Sequence, residues 1–156
     1  MPLRAPRQAH FLVALAALLL PAAQAAPPAT PEPFAVAGIS RAEAAEFLAR
    51  LQAAVRADDA GAVASLTHFP LTVNGRTGAA TRAEFLERYP SIFNARVRTA
   101  VLSQTLEGMF ANWKGLIVGR GEVWIAALCD EASPPGECSD RRLLVNSINN
   151  EFPEQP

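Results

Sequence analysis

The segment Leu116-Ile117-Val118-Gly119-Arg120-Gly121-Glu122-Val123-Trp124-Ile125 reads as a strand, a turn and a returning strand. A β-branched run gives way to glycines flanking Arg120, and a second apolar run reaches about Leu128. After a cysteine-bearing loop, Leu143-Leu144-Val145-Asn146-Ser147-Ile148 reads as a final strand. Upstream the pattern changes period. Ser40 and Glu43 form a capping box, and Ala44, Phe47, Leu48, Leu51, Ala54 and Val55 recur at helical spacing. Asp58 or Asp59 caps a second short helix carrying Val63 and Leu66. Leu71-Thr72-Val73 alternates as a strand into the Asn74-Gly75 turn, with a weak return arm over Arg76 to Ala80. Thr81 and Glu84 open a helix containing Phe85, Leu86 and Tyr89. Pro90 interrupts it, and Ser91 or Asn94 restarts a helix with Phe93, Val97 and Val101. Helices first and antiparallel strands last predict an α+β domain, its N-terminal helices packed on a curved, mostly antiparallel sheet.

The start of the chain has another character. Arg4 and Arg7 precede an apolar run from Phe11 to Leu20, then Pro21 and the small-x-small pattern Ala23-Gln24-Ala25. This predicts a cleaved secretory signal over 1–25, too short in its apolar part to anchor in a bilayer. Residues 26–38, with Pro27, Pro28, Pro31 and Pro33, read as a stiff solvated leader. A single domain is expected over 39–150, with a tail at 151–156. The expected location is periplasmic or secreted. Without Arg4 and Arg7 the 14 Lys+Arg fall to 12, against 15 Asp+Glu. That mild acidity supplies no basic face for nucleic acid. Cys129 and Cys138 are the only cysteines. In an exported chain an even count favours a disulfide over two free thiols, and the spacing is not that of a redox Cys-x-x-Cys.

Region 40–150 resembles the nuclear-transport-factor-2-like superfamily of cone-shaped α+β domains. The matching features are the long first helix and Asp58-Asp59-Ala60-Gly61-Ala62-Val63-Ala64-Ser65-Leu66, then a strand pair, a further helix and terminal antiparallel strands. Phe69-Pro70-Leu71-Thr72-Val73-Asn74-Gly75, and Asn112-Trp113-Lys114-Gly115 followed by Gly119-Arg120-Gly121-Glu122-Val123-Trp124, look like exported bacterial members without assigned activity. The Pro90 split and the few long strands depart from a full cone and imply a reduced one. The superfamily hosts isomerases, dehydratases, ligand binders and protein-binding modules, so the resemblance constrains fold more than function.

The mature segment holds one histidine, His68, placed at a helix exit where its ring can cap carbonyls. One imidazole and two paired cysteines cannot build a four-ligand zinc site, and no metal or cofactor is expected. No residue is assigned a catalytic role. In the resembling enzymes an acid and a tyrosine face the cone interior, and a carboxylate desolvated by apolar walls can act as acid or base near neutrality. By that analogy Glu122 and Tyr89, the single tyrosine, are pocket candidates. Trp124 is expected as core or cone lining, sharing a strand face with Glu122, and Trp113 as a more exposed neighbour. Gly119-Arg120-Gly121 precedes a strand rather than a helix, so it is not a dinucleotide loop. The expectation is an exported non-catalytic domain binding a small apolar ligand or a protein partner. The alternatives are a cofactor-free isomerase, dehydratase or hydrolase using a pocket carboxylate, and a structural or inhibitory interaction protein.

Overall fold

Buried chain begins earlier than the proline pattern predicts. In the computed structural model, which describes residues 32–129, 138 and 140–151, Phe34 and Ile39 are each 1% exposed. They bracket a single 3-10 turn at Ala35–Ala37. The expected signal at 1–25, the first part of the leader and residues 152–156 lie outside the described residues.

Helix α1 spans Arg41–Arg56 and starts on the predicted capping box. The Ser40 hydroxyl accepts from the Glu43 amide at 3.2 Å, and Glu43 Oε2 accepts from the Ser40 amide at 2.8 Å. Its apolar stripe, including Phe47, Leu51 and Val55, is buried. Asp59 rather than Asp58 caps the short α2, Ala60–Ser65. Strand β1, Thr67–Val73, and β2, Arg76–Ala79, form the Asn74-Gly75 hairpin. His68 therefore lies within β1 and not at a helix exit. Helix α3 runs Arg82–Ile92 straight through Pro90, which sits exposed in its last turn, where one lost amide costs little of the ladder. Asn94 caps α4, Ala95–Ser103, by accepting from the Val97 amide at 3.2 Å.

The remaining strands are β3, Phe110–Asn112; β4, Gly115–Val118; β5, Val123–Leu128; and β6, Arg142–Ile148. Strand β3 was not foreseen from the sequence. Together the strands make one open sheet in the order β2-β1-β6-β5-β4-β3. Only β1 and β6 run parallel; every other neighbour is antiparallel. The domain is thus α+β, with helices packed on a curved, mostly antiparallel sheet.

Alternation assigns the two sheet faces. Leu71, Leu116, Val118, Val123, Ile125, Val145 and Ile148 are all at most 1% exposed and join Phe47, Leu51, Phe85, Phe93, Val97 and Val101 in one core. Val145 and Ile148 are three apart yet share this face. The reason is a bulge: Trp124 pairs with Ser147 and Ile125 with Val145, leaving Asn146 as the extra residue. Cys129 and Cys138 are joined in a disulfide. Among the described residues no helix is long and apolar enough to cross a membrane.

Candidate functional site

The outer sheet face carries a row of cross-strand partners. Phe110 pairs with Ile117, Ile117 with Trp124, Trp124 with Ser147, Ser147 with Thr72 and Thr72 with Thr77. The row is apolar and aromatic at the β3–β4–β5 end and hydroxylic at the other. Ile117 and Trp124 are half-buried, while Phe110 remains 62% exposed. Beside Phe110 the β3–β4 hairpin turns through Trp113-Lys114. Its turn is closed by the Lys114 amide donating to Asn112 Oδ1 at 2.8 Å. Trp113 projects from this turn at 77% exposure, and Lys114 Nζ lies 5.1 Å from its ring centroid. Two exposed large aromatics on one short hairpin are the least sheltered apolar side chains of the described domain.

The predicted pocket residues do not converge. Trp124 points to the outer face, whereas Glu122 lies in the turn before β5 and faces α4. It is 5% exposed. Its Oε2 accepts from the Arg120 amide at 2.6 Å, and its Oε1 lies 3.3 Å from Arg96 Nε on α4. The expected shared face fails because Glu122 precedes the regular strand, so strand alternation does not reach it. Glu122 lines an open groove of about 520 Å³ with Arg96, Thr99, Ser103 and Arg120.

Tyr89 lines a separate groove of about 510 Å³ between α3 and α4, with Asp58, Phe93, Arg98 and Leu102. Its ring stacks on Phe93 at 5.4 Å and meets Phe85 edge-on at 5.7 Å. Burial pushes the phenol pKa up, opposed by the positive charge of Arg98. A third hollow, about 240 Å³, lies between α1 and β6, lined by Phe47, Leu66 and Leu143 with Glu43, Arg50 and Arg142 around them. The space between helices and sheet is occupied by the core side chains.

The side chain of Asn150 bridges two elements. Asn150 accepts from Asn74 Nδ2 at 2.7 Å and donates to the Ser91 and Ile92 carbonyls at 2.9 and 3.2 Å. It ties the β1–β2 turn to the end of α3. Among the described residues, no cluster of three or more His, Cys, Asp or Glu is placed to hold a metal. Phe110 was missed as a surface anchor. Its signal was present in Phe110-Ala111-Asn112-Trp113-Lys114-Gly115, where alternation runs into a tight turn. Comparison with known proteins gave no match to a family model, to a curated protein or to a solved structure.

Proposed function

We propose that this is an exported, non-catalytic domain that binds a protein partner through the outer face of its sheet. The observation that carries the reading is the aromatic hairpin: Phe110 and Trp113, 62% and 77% exposed, continuous with Ile117 and Trp124. Exposed aromatics grouped on a rigid element are the usual anchors of protein interfaces, and single scattered apolar residues are not. Lys114 beside Trp113 suits a partner that is apolar at the contact centre and acidic at this rim. The signal-like first 25 residues and the disulfide support a periplasmic or secreted location. The resemblance to the cone-shaped superfamily is compatible with it, since that group includes protein-binding modules. An enzyme built on Glu122 and Tyr89 is the weaker reading, because these residues line different grooves and Glu122 is engaged by Arg96 and the Arg120 amide.

The test pairs wild-type protein with a Phe110→Ser, Trp113→Ser double variant as baits in the exported fraction of the native cell. The expected result is a stoichiometric partner on the wild type and at least tenfold less on the double variant. The melting temperatures of the two baits should agree. Equal retention of the same proteins on both baits would reject the sheet face as the contact surface.

A further inference from the structure

We infer that the hollow between α1 and the start of β6 is a second binding site, which takes a short extended peptide with acidic side chains as an added strand. It shares no residue with the Phe110–Trp113 surface and does not depend on the sheet-face reading. The observation that points to a strand is an interrupted ladder. β6 begins at Arg142, but its first partner in β1 is Val145, opposite Thr67, where β1 starts. Arg142, Leu143 and Leu144 therefore have β5 on one side and, among the described residues, no strand on the other. The Val145 amide donates to the Leu66 carbonyl at 2.8 Å, so the polar groups of Val145 face β1. Pairing with β5 is regular from Arg142 to Val145, and successive residues of a strand turn their amides and carbonyls to opposite edges. The Leu143 N–H and C=O thus face the bare edge, and neither has a hydrogen-bond partner among the described residues. Such an edge is a template on which an extended peptide adds, its main chain supplying the missing bonds.

The walls define the chemistry of the peptide. Phe47 and Leu66 floor the hollow, and Leu143 packs on the core beside them, which gives an apolar side chain of the peptide a seat. A volume of about 240 Å³ holds side chains of a peptide rather than a whole drug-sized ligand. Arg50 of α1 and Arg142 of β6 stand exposed at the rim, and neither enters a hydrogen bond or ion pair among the described residues. Of the rim carboxylates, Glu43 is already held by Ser40 and Arg141, which leaves Glu46 alone against the two guanidiniums. That surplus of positive charge favours acidic side chains on the peptide.

The probe is the capped peptide acetyl-Glu-Val-Thr-Val-Glu-amide, titrated into isotope-labelled protein and followed by amide chemical shifts. Saturable shifts are expected at Leu66, Leu143 and Leu144, with an affinity near the millimolar level. The matching Gln-Val-Thr-Val-Gln peptide should bind about fivefold more weakly. Combining Arg50→Gln with Arg142→Gln should erase that difference and leave the melting temperature unchanged, since both arginines are exposed. N-methylation of the threonine and N-methylation of both valines block opposite edges of the extended peptide, so one should bind about tenfold more weakly than the other. Absence of saturable shifts at about 10 mM peptide overturns the proposal. So does equal affinity of the two N-methylated peptides, which would show that no main-chain pairing forms, and so does equal affinity of the Glu and Gln peptides. None of these results bears on the Phe110–Trp113 surface, whose Phe110→Ser, Trp113→Ser variant should bind the peptide as the wild type does.

Discussion

Glu122 closes the β4–β5 turn from beneath, one oxygen on the Arg120 amide and the other toward Arg96. Gly119 and Gly121 both hold positive φ in this turn, 66° and 116°, and Glu122 shares its fastening with Gln104, which accepts from the Gly119 amide at 2.6 Å, and Asn149, which donates to the Gly121 carbonyl at 2.7 Å. Glu122→Ala should therefore cost about 2 kcal/mol in urea unfolding, with Glu122→Gln losing less because it keeps an acceptor oxygen. A loss below about 0.5 kcal/mol for alanine would show that the carboxylate is not structural. Asn150→Ala, which severs bonds to Asn74, Ser91 and Ile92, should cost a similar ~2 kcal/mol. Glu43 supplies a pH signature. Hydrogen bonds from Ser40, then the charge of Arg141, hold its pKa below the ordinary 4.5. A depressed folded-state value stabilises the native state above the unfolded pKa, and that contribution is lost as pH falls through the folded one. Thermal stability should thus decline below about pH 4.5, and Glu43→Gln should flatten that part of the profile. The cap was legible because Ser-x-x-Glu is a local rule. The role of Glu122 was not, because its partner Arg96 comes from an element 26 residues away.

At the scale of the elements, local chemistry explains what was legible and what was not. Capping residues and the Asn-Gly turn located α1, α3, α4 and the first hairpin. Strand β3 escaped because three residues give almost no periodicity. Pro90 was read as a breaker, but a proline in a final exposed turn removes only one bond. Gly115 shows what holds β3–β4–β5 together. Its φ is 138°, and a Cβ there would drive into the Ile125 carbonyl of the adjacent strand. Gly115→Ala should destabilise by more than ~2 kcal/mol and speed amide exchange in β4 and β5 ahead of β1. The disulfide clips the β5–β6 connection. Replacing both cysteines by serine should cost about 2.5 kcal/mol for a loop of this length, with the native protein showing a two-hydrogen mass deficit and no thiol labelling.

The described domain separates the two faces of its sheet by burial. The helical side is filled with core side chains at 0–7% exposure, and the far side of the same sheet keeps aromatic residues in water. Helix-and-strand order was enough to predict the first arrangement, because burial follows periodicity. The second depends on which strands lie at the edge, and that is decided by pairings between distant segments. The most consequential of these is β6. It lies between β1 and β5, so the first hairpin has no attachment to the rest of the sheet except through the strand that is threaded last. Thr67 meets Val145 and Val73 meets Ile148 across that junction. A nascent chain that has delivered everything up to Leu128 holds two unconnected pieces of sheet and cannot reach the native state. Assembly must wait for residues 142–148, and closing so long a stretch of chain is entropically slow. The sheet therefore stays in two pieces, the first hairpin on one side and β3–β4–β5 on the other, until the strand that joins them is available.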